Sequence, residues 1–412
     1  MNRAIKYQIY PNDEQKVLFA KTFGCCRKIW NLMLATREDA YKKDKSVVKP
    51  TPAMYKDEYP YLREVDSLAL ANVQLNLQDA YKRFFTAKGT GRPKFKSKKK
   101  SRDSYTTNNQ NGTVSLDFEN KKIRLPKIGK VKAILHRYPD DGWKLKSATV
   151  SMTNDGKYFC SVLFEYDSDK RSVTESELNA IGLDYKSDGL YTDSNGNTCG
   201  SPKYFRKGQK RLTHAQRKLR HKTKGSNNYK KTKLKIAKVH RHIANQRSDF
   251  LHKKSAEIAN QYDMVCVEDL NMKAMSNKGF GNGKVTLDNG YGMFLNFLDY
   301  KLQDRGKVLI RINKWYPSSQ TCSVCGSIHP EVKDLRIRQW VCNICRTHHD
   351  RDINAAVNIR NEGIRQFLLN NGRSGTGQTN NACGARALYC SKKNFQQQDA
   401  AMKQEARSFM AE

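Results

Sequence analysis

No run of about 18 apolar residues occurs in the 412-residue chain, so no segment reads as a bilayer-spanning helix. The N-terminus also lacks the charged-then-apolar layout of a secretory signal. A soluble, cytoplasmic protein with no membrane partner is the expectation. Acidic residues are scarce: 40 Asp and Glu stand against 76 Lys and Arg, a formal charge of +36. That excess is costly in self-repulsion unless a polyanion neutralises it, which points to nucleic acid. Disulfides are not expected, although there are 11 cysteines. Outside one paired motif, the seven at Cys25, Cys26, Cys160, Cys199, Cys266, Cys383 and Cys390 are odd in number and form no framework, as for thiols in a reducing compartment. There is no internal repeat, and a chain of this length divides into about two to four units.

The paired motif is the most specific feature present. Cys322-x-x-Cys325 and Cys342-x-x-Cys345 are separated by sixteen residues, within the spacing of a four-cysteine zinc ribbon. Two knuckles present four thiolates to one tetrahedral Zn²⁺, and four thiolates leave no open position for water, so the metal is structural. Directly after the ribbon comes Asp350-Arg351-Asp352-Ile353-Asn354-Ala355-Ala356.

Arg3 to Tyr10 alternates, with Ile5, Tyr7 and Ile9 on one side, and reads as a strand. Asn12 with Gln15 makes a capping box, and Phe19, Phe23, Cys26, Trp30 and Met33 follow at helical spacing. A second helix, Ser67 to Phe85, stacks Leu70, Val73, Leu77, Tyr81 and Phe84, with Asn72, Asn76, Asp79 and Arg83 opposite. Residues 88–102 carry eight Lys and Arg with Gly89, Gly91 and Pro93, the composition of a mobile basic connector. A solvated linker and a phosphate-contacting arm both fit it. From Thr113 to Tyr166 strands recur: 114–118, 122–125, 131–135, 148–152 and 158–166, the last two joined at Asn154-Asp155-Gly156. They suggest a small barrel closed by the Arg3 to Tyr10 strand.

Strands and helices then alternate. Residues 180–184 and 189–192 read as a strand pair. Residues 203–242 hold sixteen Lys and Arg with no Asp or Glu, as one cationic helix that cannot pair its charges internally. Contact with phosphate is favoured there, with Arg206, Lys207, Lys210, Arg211, Arg217, Lys218, Lys230 and Lys231 as candidates. A helix to about Tyr262, a strand 263–267, a helix 291–305 and a strand 307–312 follow. The Gly-, Ser-, Asn- and Gln-rich stretch from Gly372 is expected to be disordered.

Phosphodiester cleavage by two metal ions needs converging carboxylates, and hard Mg²⁺ prefers such oxygen ligands. Asp184 ends the apolar strand Ile181-Gly182-Leu183, Glu268 ends Met264-Val265-Cys266-Val267, and Asp352 opens a helix, 353–359. Each acid taken singly fits a capping role; a sheet that brought all three together would be a different matter.

These segments, with Val267-Glu268-Asp269-Leu270-Asn271 and Pro317-Ser318-Ser319-Gln320 before the knuckles, resemble the TnpB (OrfB) family of insertion-sequence RNA-guided nucleases. That family is similar to the presumed ancestors of type V CRISPR effectors. The resemblance covers most of the chain, including the opening at Tyr7 to Trp30 and the tail at Lys403-Gln404-Glu405-Ala406. It implies that Asp184, Glu268 and Asp352 are RuvC-type acids holding Mg²⁺, as two ions, and that the four cysteines hold one Zn²⁺. Asp350 competes for the third role, and Asp352 is preferred because the family's Asp-x-Asn-Ala-Ala places the ligand there. Tyr185-Lys186-Ser187 departs from the smaller residues of many relatives. The implied partners are a guide RNA from the transposon end and double-stranded target DNA, with sequence choice left to base pairing. The implied reader of a short flanking motif is the second helix, through Asn72, Gln74, Asn76 and Gln78.

The expected fold is α/β and multidomain: residues 1–10 with 104–175 as a β-barrel (wedge), 11–103 as a helical recognition domain, 178–315 with 347–370 as a RuvC/RNase H-like nuclease, 316–346 as the zinc ribbon, and 371–412 as a tail. The expected function is RNA-guided DNA endonuclease. A guided DNA-binding regulator would be expected to lose the acids. A tyrosine transposase needs a His-hydrophobic-His pair, and the only His-x-His is His240-Arg241-His242. A three-acid strand-transfer protein stays open on fold grounds. The sequence leaves the oligomeric state open.

Overall fold

A computed structural model of the chain describes residues 2–87, 89–99, 101–167, 178–277 and 283–372. It divides into two compact units, Met1–Ser168 and Asp169–Glu412.

In the first unit, β1 (Asn2–Tyr10) buries Ile5, Tyr7 and Ile9 in alternation. Asn12 caps α1 (Asp13–Asp44) reciprocally: its Oδ1 accepts from the Gln15 N–H at 2.8 Å, and its own N–H donates to Gln15 Oε1 at 3.1 Å. Phe19, Phe23, Cys26, Trp30 and Met33 form the buried face of α1. Two short 3-10 turns, Pro52–Tyr55 and Pro60–Arg63, lead to α2 (Ser67–Thr86), which Asp66 caps. The core takes up Leu70, Val73 and Leu77, with Tyr81 packed at its margin; Phe84 lies beyond it.

Six more strands complete this unit: β2 (Ser104–Asn108), β3 (Ser115–Asp117), β4 (Lys122–Leu125), β5 (Gly129–Ile134), β6 (Lys144–Met152) and β7 (Tyr158–Glu165). Their order is β2-β6-β7-β1-β5-β4-β3, every neighbouring pair antiparallel. The expectation of a barrel closed by the first strand is corrected here. Among the described residues the edge strands β2 and β3 do not pair, and β1 joins the two halves of an open sheet from its middle. Among the described residues β2 pairs only with β6 and β3 only with β4, so each edge strand leaves one side of its backbone outside the sheet.

The basic connector is also not free. Trp30 Nε1 donates to the Lys94 carbonyl at 3.0 Å, Asn31 exchanges two hydrogen bonds of 2.8 and 2.9 Å with the Lys96 backbone, and Lys96 Nζ sits 3.6 Å from the Trp30 ring centre. A backbone without regular structure still needs partners, and α1 supplies them.

The second unit runs β8 (Ala180–Tyr185), β9 (Gly189–Asp193), β10 (Thr198–Gly200), α3 (Tyr204–Arg220), α4 (Asn227–Gln261), β11 (Met264–Glu268), α5 (Met272–Met275), α6 (Gly283–Asn289), α7 (Tyr291–Gln303), β12 (Val308–Ile312), β13 (Gln339–Val341), β14 (His348–Asp350) and α8 (Arg351–Gly372). The cationic stretch is two helices rather than one. The chain turns at Gly225, with φ +91°, and Ser226 caps α4 through the Tyr229 N–H. α8 continues well past Ile359, where the sequence reading ended it, because Ile359 and Phe367 both find a buried place against the sheet. Beyond Gly372, the expected tail lies outside the described residues.

The central sheet has the order β10-β9-β8-β11-β12, with β8, β11 and β12 parallel and β9 and β10 antiparallel. Val265 and Val267 of β11 pack with Ile181 and Leu183 against α4 and α7, while Met264 and Cys266 face α8. A strand buried on both faces reads as an unbroken apolar run, as this one does. Two glycines let α8 lie directly on the sheet. A Cβ on Gly182 would collide with the Ala356 carbonyl, and one on Gly363 with Cys266 Sγ.

Gly182→Ala is therefore expected to destabilise the protein by about 1–3 kcal/mol in urea unfolding, the usual cost of overpacking. Gly24→Ala, in the interior of α1 with no atom within 4 Å of the added carbon, should instead stabilise by about 0.5–1 kcal/mol.

Candidate active site and zinc cluster

Side chains alternate along a strand, so the face of Gly182 is also the face of Asp184, and the face of Cys266 is also that of Glu268. Both acids thus lie on the α8 side of the sheet. β8 and β11 are parallel, with Leu183 opposite Val267, which sets Asp184 and Glu268 side by side at the strand ends. Asp352 stands in the first turn of α8. The three carboxylates are close enough to act on one another: the half-buried Asp184 has its carboxyl held well above the usual range, first by desolvation, then by the charges of Glu268 and Asp352. Asp350 does something else. Its Oδ1 accepts from the N–H groups of Asp352 and Ile353 at 3.0 and 3.1 Å, so it caps α8.

Cations face the third acid. Lys186 Nζ lies 3.4 Å from Asp352 Oδ2, and Arg338 Nη1 lies 3.4 Å from Oδ1. Arg351 is buried beside them, its charge opposing the crowding at Asp184.

The four cysteines also come together, with their sulfurs within 4.8 Å of one another. Cys322 and Cys345 are 3.6 Å apart and Cys325 and Cys342 3.5 Å, far beyond a disulfide bond and close to the edge of about 3.8 Å of a tetrahedron built on Zn–S bonds of about 2.3 Å. The donor set therefore suits a structural zinc. The knuckles are twins: Gly326 and Arg346, each just past the second cysteine, both take positive φ, and their N–H groups donate to the Cys322 and Cys342 carbonyls at 2.9 and 3.0 Å. His349 Nε2 and His329 Nε2 sit 3.1 and 3.3 Å from Cys322 and Cys342 Sγ, around Trp340.

The ribbon is stitched to the acids. Asn354 Nδ2 donates to the Thr321 carbonyl at 2.8 Å while its Oδ1 accepts from the Ser323 N–H at 2.9 Å. Asn358 Nδ2 reaches the carbonyls of Ser318 and Thr321 at 2.7 and 2.6 Å. Ser318 Oγ then donates to Glu268 Oε1 at 2.5 Å. One loop thus connects the first zinc knuckle, the helix of the third acid and the second acid.

The other candidates divide. Lys207, Lys210, Arg211, Arg217, Lys218, Lys230 and Lys231 are exposed, and among the described residues none of them pairs with a carboxylate. Arg206 is different: its Nε lies 3.5 Å from the buried Asp288, which also accepts from the Phe205 and Arg206 N–H groups and so caps α3. Asn72 and Asn76 line a cleft of about 300 Å³ together with Arg27, Lys96, Arg102 and Tyr105, all within the first unit. Gln74 and Gln78 are not part of it.

Residues 162–278 match the OrfB_IS605 family, described as "Probable transposase", residues 291–359 match "Cas12f1-like, TNB domain", and residues 1–46 match "Helix-turn-helix domain". A Streptomyces pristinaespiralis protein named as an RNA-guided DNA endonuclease is 34% identical over 385 residues, 90% of this chain and 92% of its own. The chain belongs to the TnpB (OrfB) family. InsQ of Escherichia coli K12, another TnpB-family relative named as an RNA-guided DNA endonuclease, is 30% identical over 379 residues, 87% of this chain and 91% of its own. The fold is that of Cas12f1 in its sgRNA–target DNA complex, at a TM-score of 0.55 and 14% identity over 87% of this chain and 98% of that one.

In this TnpB-family chain the residues matched as helix-turn-helix form one strand and a single unbroken helix. Ser318, Asn358, Lys186 and Arg338 were not singled out as site residues from sequence. The Asn354, Asn358 spacing of four residues, just after Asp352, is the signal that puts both amides on one face of the helix.

Two outcomes follow from this geometry. A carboxyl raised in the fold stabilises it below the unfolded value of 3.8 and loses that contribution as pH climbs through the raised value. Metal-free Asp184→Asn is therefore expected to melt higher than wild type at neutral pH, with the gap closing in acid; scanning calorimetry reads it. A chelator strong enough to take zinc from the four cysteines should also lower the Tm, since the knuckles that anchor Ser318 and α8 would lose the metal that their donor set suits.

Proposed function

We propose that this protein is an RNA-guided, Mg²⁺-dependent DNA endonuclease of an insertion sequence. The convergence of Asp184, Glu268 and Asp352 on one face of one sheet carries the reading. The relatives named for that activity and the 76 basic residues support it. The strand order, with three parallel strands flanked by an antiparallel pair, supports the reading as an RNase H-like (RuvC) nuclease, a scaffold on which such acids meet. Residues 178–315 with 347–370 make up that domain and 316–346 the ribbon. The first unit holds the recognition helices, 11–103, and the wedge sheet, whose proposed range of 1–10 with 104–175 is described as far as residue 167.

An all-carboxylate donor set, crowded enough to raise the Asp184 carboxyl, fits hard divalent cations. Asp184, Glu268 and Asp352 would hold two Mg²⁺ ions, which when bound activate the attacking water and stabilise the leaving oxygen. Ser318 fixes the carboxylate plane of Glu268 by its hydrogen bond. Asn354 and Asn358 hold the ribbon loop against α8 and so fix Asp352. Lys186 and Arg338 face the same carboxylate and have the charge to meet a scissile phosphate.

The exposed cations of α3 and α4 supply the salt-dependent grip on a guide RNA from the transposon end. The cleft at Asn72 and Asn76 reads the motif flanking the target in duplex DNA. Amides pair well with adenine edges, and Arg27 and Arg102 lie beside them for guanine or phosphate.

The test is cleavage of a plasmid library with a randomised flank by protein co-expressed with its native downstream RNA. Mg²⁺-dependent cuts beside one enriched motif are expected. Asp184→Ala, Glu268→Ala and Asp352→Ala should each lower the rate by on the order of 10³-fold with target binding kept. Asn76→Ala should change the enriched motif rather than the chemistry. Target binding without cutting by the wild type would show a guided DNA-binding regulator instead.

A further inference from the structure

The four amides of α2 split into two groups, and the second leads to a surface with no role so far. Gln74, Gln78, Tyr81 and Phe85 follow one another at steps of four, three and four, which puts them on one stripe, turned away from Asn72 and Asn76. The stripe passes Tyr81 at the margin of the core and ends in a ring that the core does not take up. Phe85 is 74% exposed, and neither it nor Phe84 belongs to the buried cluster. Phe84 and Phe85 are 5.0 Å apart between centroids, and Tyr81 and Phe85 lie 6.4 Å apart within 24° of parallel.

Two guanidinium groups accompany them. Arg37 of α1 lies 3.9 Å over the Tyr81 ring, and Arg92 lies 5.7 Å from that of Phe84. Among the described residues neither pairs with a carboxylate. An exposed ring at the end of a helix whose apolar face is already filled contributes little to folding, and cations resting on rings instead of acids stay available to an anion. Ring faces, guanidinium groups and amides are the set that unpaired bases use: a base stacks, a cation meets the phosphate, an amide reaches the base edge. An intact duplex offers no free base faces along its length.

We propose that Phe84 and Phe85, with Arg37 and Arg92 beside them and Gln74 and Gln78 behind, form a stacking ledge for unpaired bases of single-stranded RNA. The strand's identity rests on the RNA-guided reading, and the ledge itself on its geometry. RNA is favoured over DNA because a guide carried continuously keeps the rings covered, whereas a DNA strand opened only during target engagement leaves them in water.

The experiment measures anisotropy of fluorescein-labelled oligo(U), oligo(dT) and duplex DNA with the full chain over a range of salt. Phe85→Leu keeps the apolar bulk and removes the ring. It should weaken oligo(U) binding by about 10-fold, and Phe85→Trp should restore it, since one stacked base is lost and regained. The slope of log affinity against log salt should not move, because no cation is removed. A 4-thiouridine-containing oligo(U) should crosslink within residues 83–92. Wild-type oligo(U) affinity in Phe85→Leu overturns the proposal, as does an equal loss on duplex DNA. An equal loss on oligo(dT) overturns the RNA assignment in favour of single-stranded DNA. A wild type that shows the ledge effect but cuts no matched DNA would defeat the nuclease reading alone.

Discussion

Backbone contact between α8 and β8, with no side chain between them, sets where the third acid sits. Gly182 leaves the space, the Ala356 carbonyl and the Arg360 N–H fill it, and Gly363 of α8 in turn makes room for the Cys266 side chain of β11. Protein interiors are close-packed, so a helix held this near the sheet has little freedom to slide. Asp352, at the start of that helix, is thereby delivered to the strand ends that carry Asp184 and Glu268. A side chain at residue 182 would lift α8 and separate the acids without touching any of them.

Charge works against the same assembly. Desolvation and the charges of Glu268 and Asp352 raise the Asp184 carboxyl well above the ordinary range, an unfavourable arrangement that divalent cations would relieve. The fold holds the acids in place partly through groups that never meet substrate. Asn354 and Asn358 satisfy ribbon-loop carbonyls, and Ser318 satisfies one oxygen of Glu268. The four-cysteine cluster thus has a structural tie to the acids, since its first knuckle begins four residues after Ser318.

Much of this was legible in the sequence because the signals are local. The capping box at Asn12, the apolar face of α1, that of α2 as far as Tyr81, the run 264–267 and the cysteine spacing each report on a few neighbouring residues, and the structure has each of them where the pattern puts it. What escaped depends on distant partners. An open sheet and a closed barrel have the same strand patterns, and only the pairing of β2 with β3 would tell them apart. The 88–102 segment has the composition of a free linker, but its backbone bonds to Trp30 and Asn31 of a different element. Composition marked residues 203–242 as cationic without showing that Gly225 divides them or that Arg206 belongs to Asp288. The four amides of α2 looked equivalent until the helix turned them to opposite sides.

The claim at the centre is that the three acids form one site for two divalent ions. Electron paramagnetic resonance of the Mn²⁺-loaded protein tests it most directly. Two ions held about 3.5–4 Å apart by shared carboxylates would give a spin-coupled Mn²⁺ pair, lost in Glu268→Ala. Only isolated, uncoupled Mn²⁺ at saturation, unchanged by that substitution, would contradict the account.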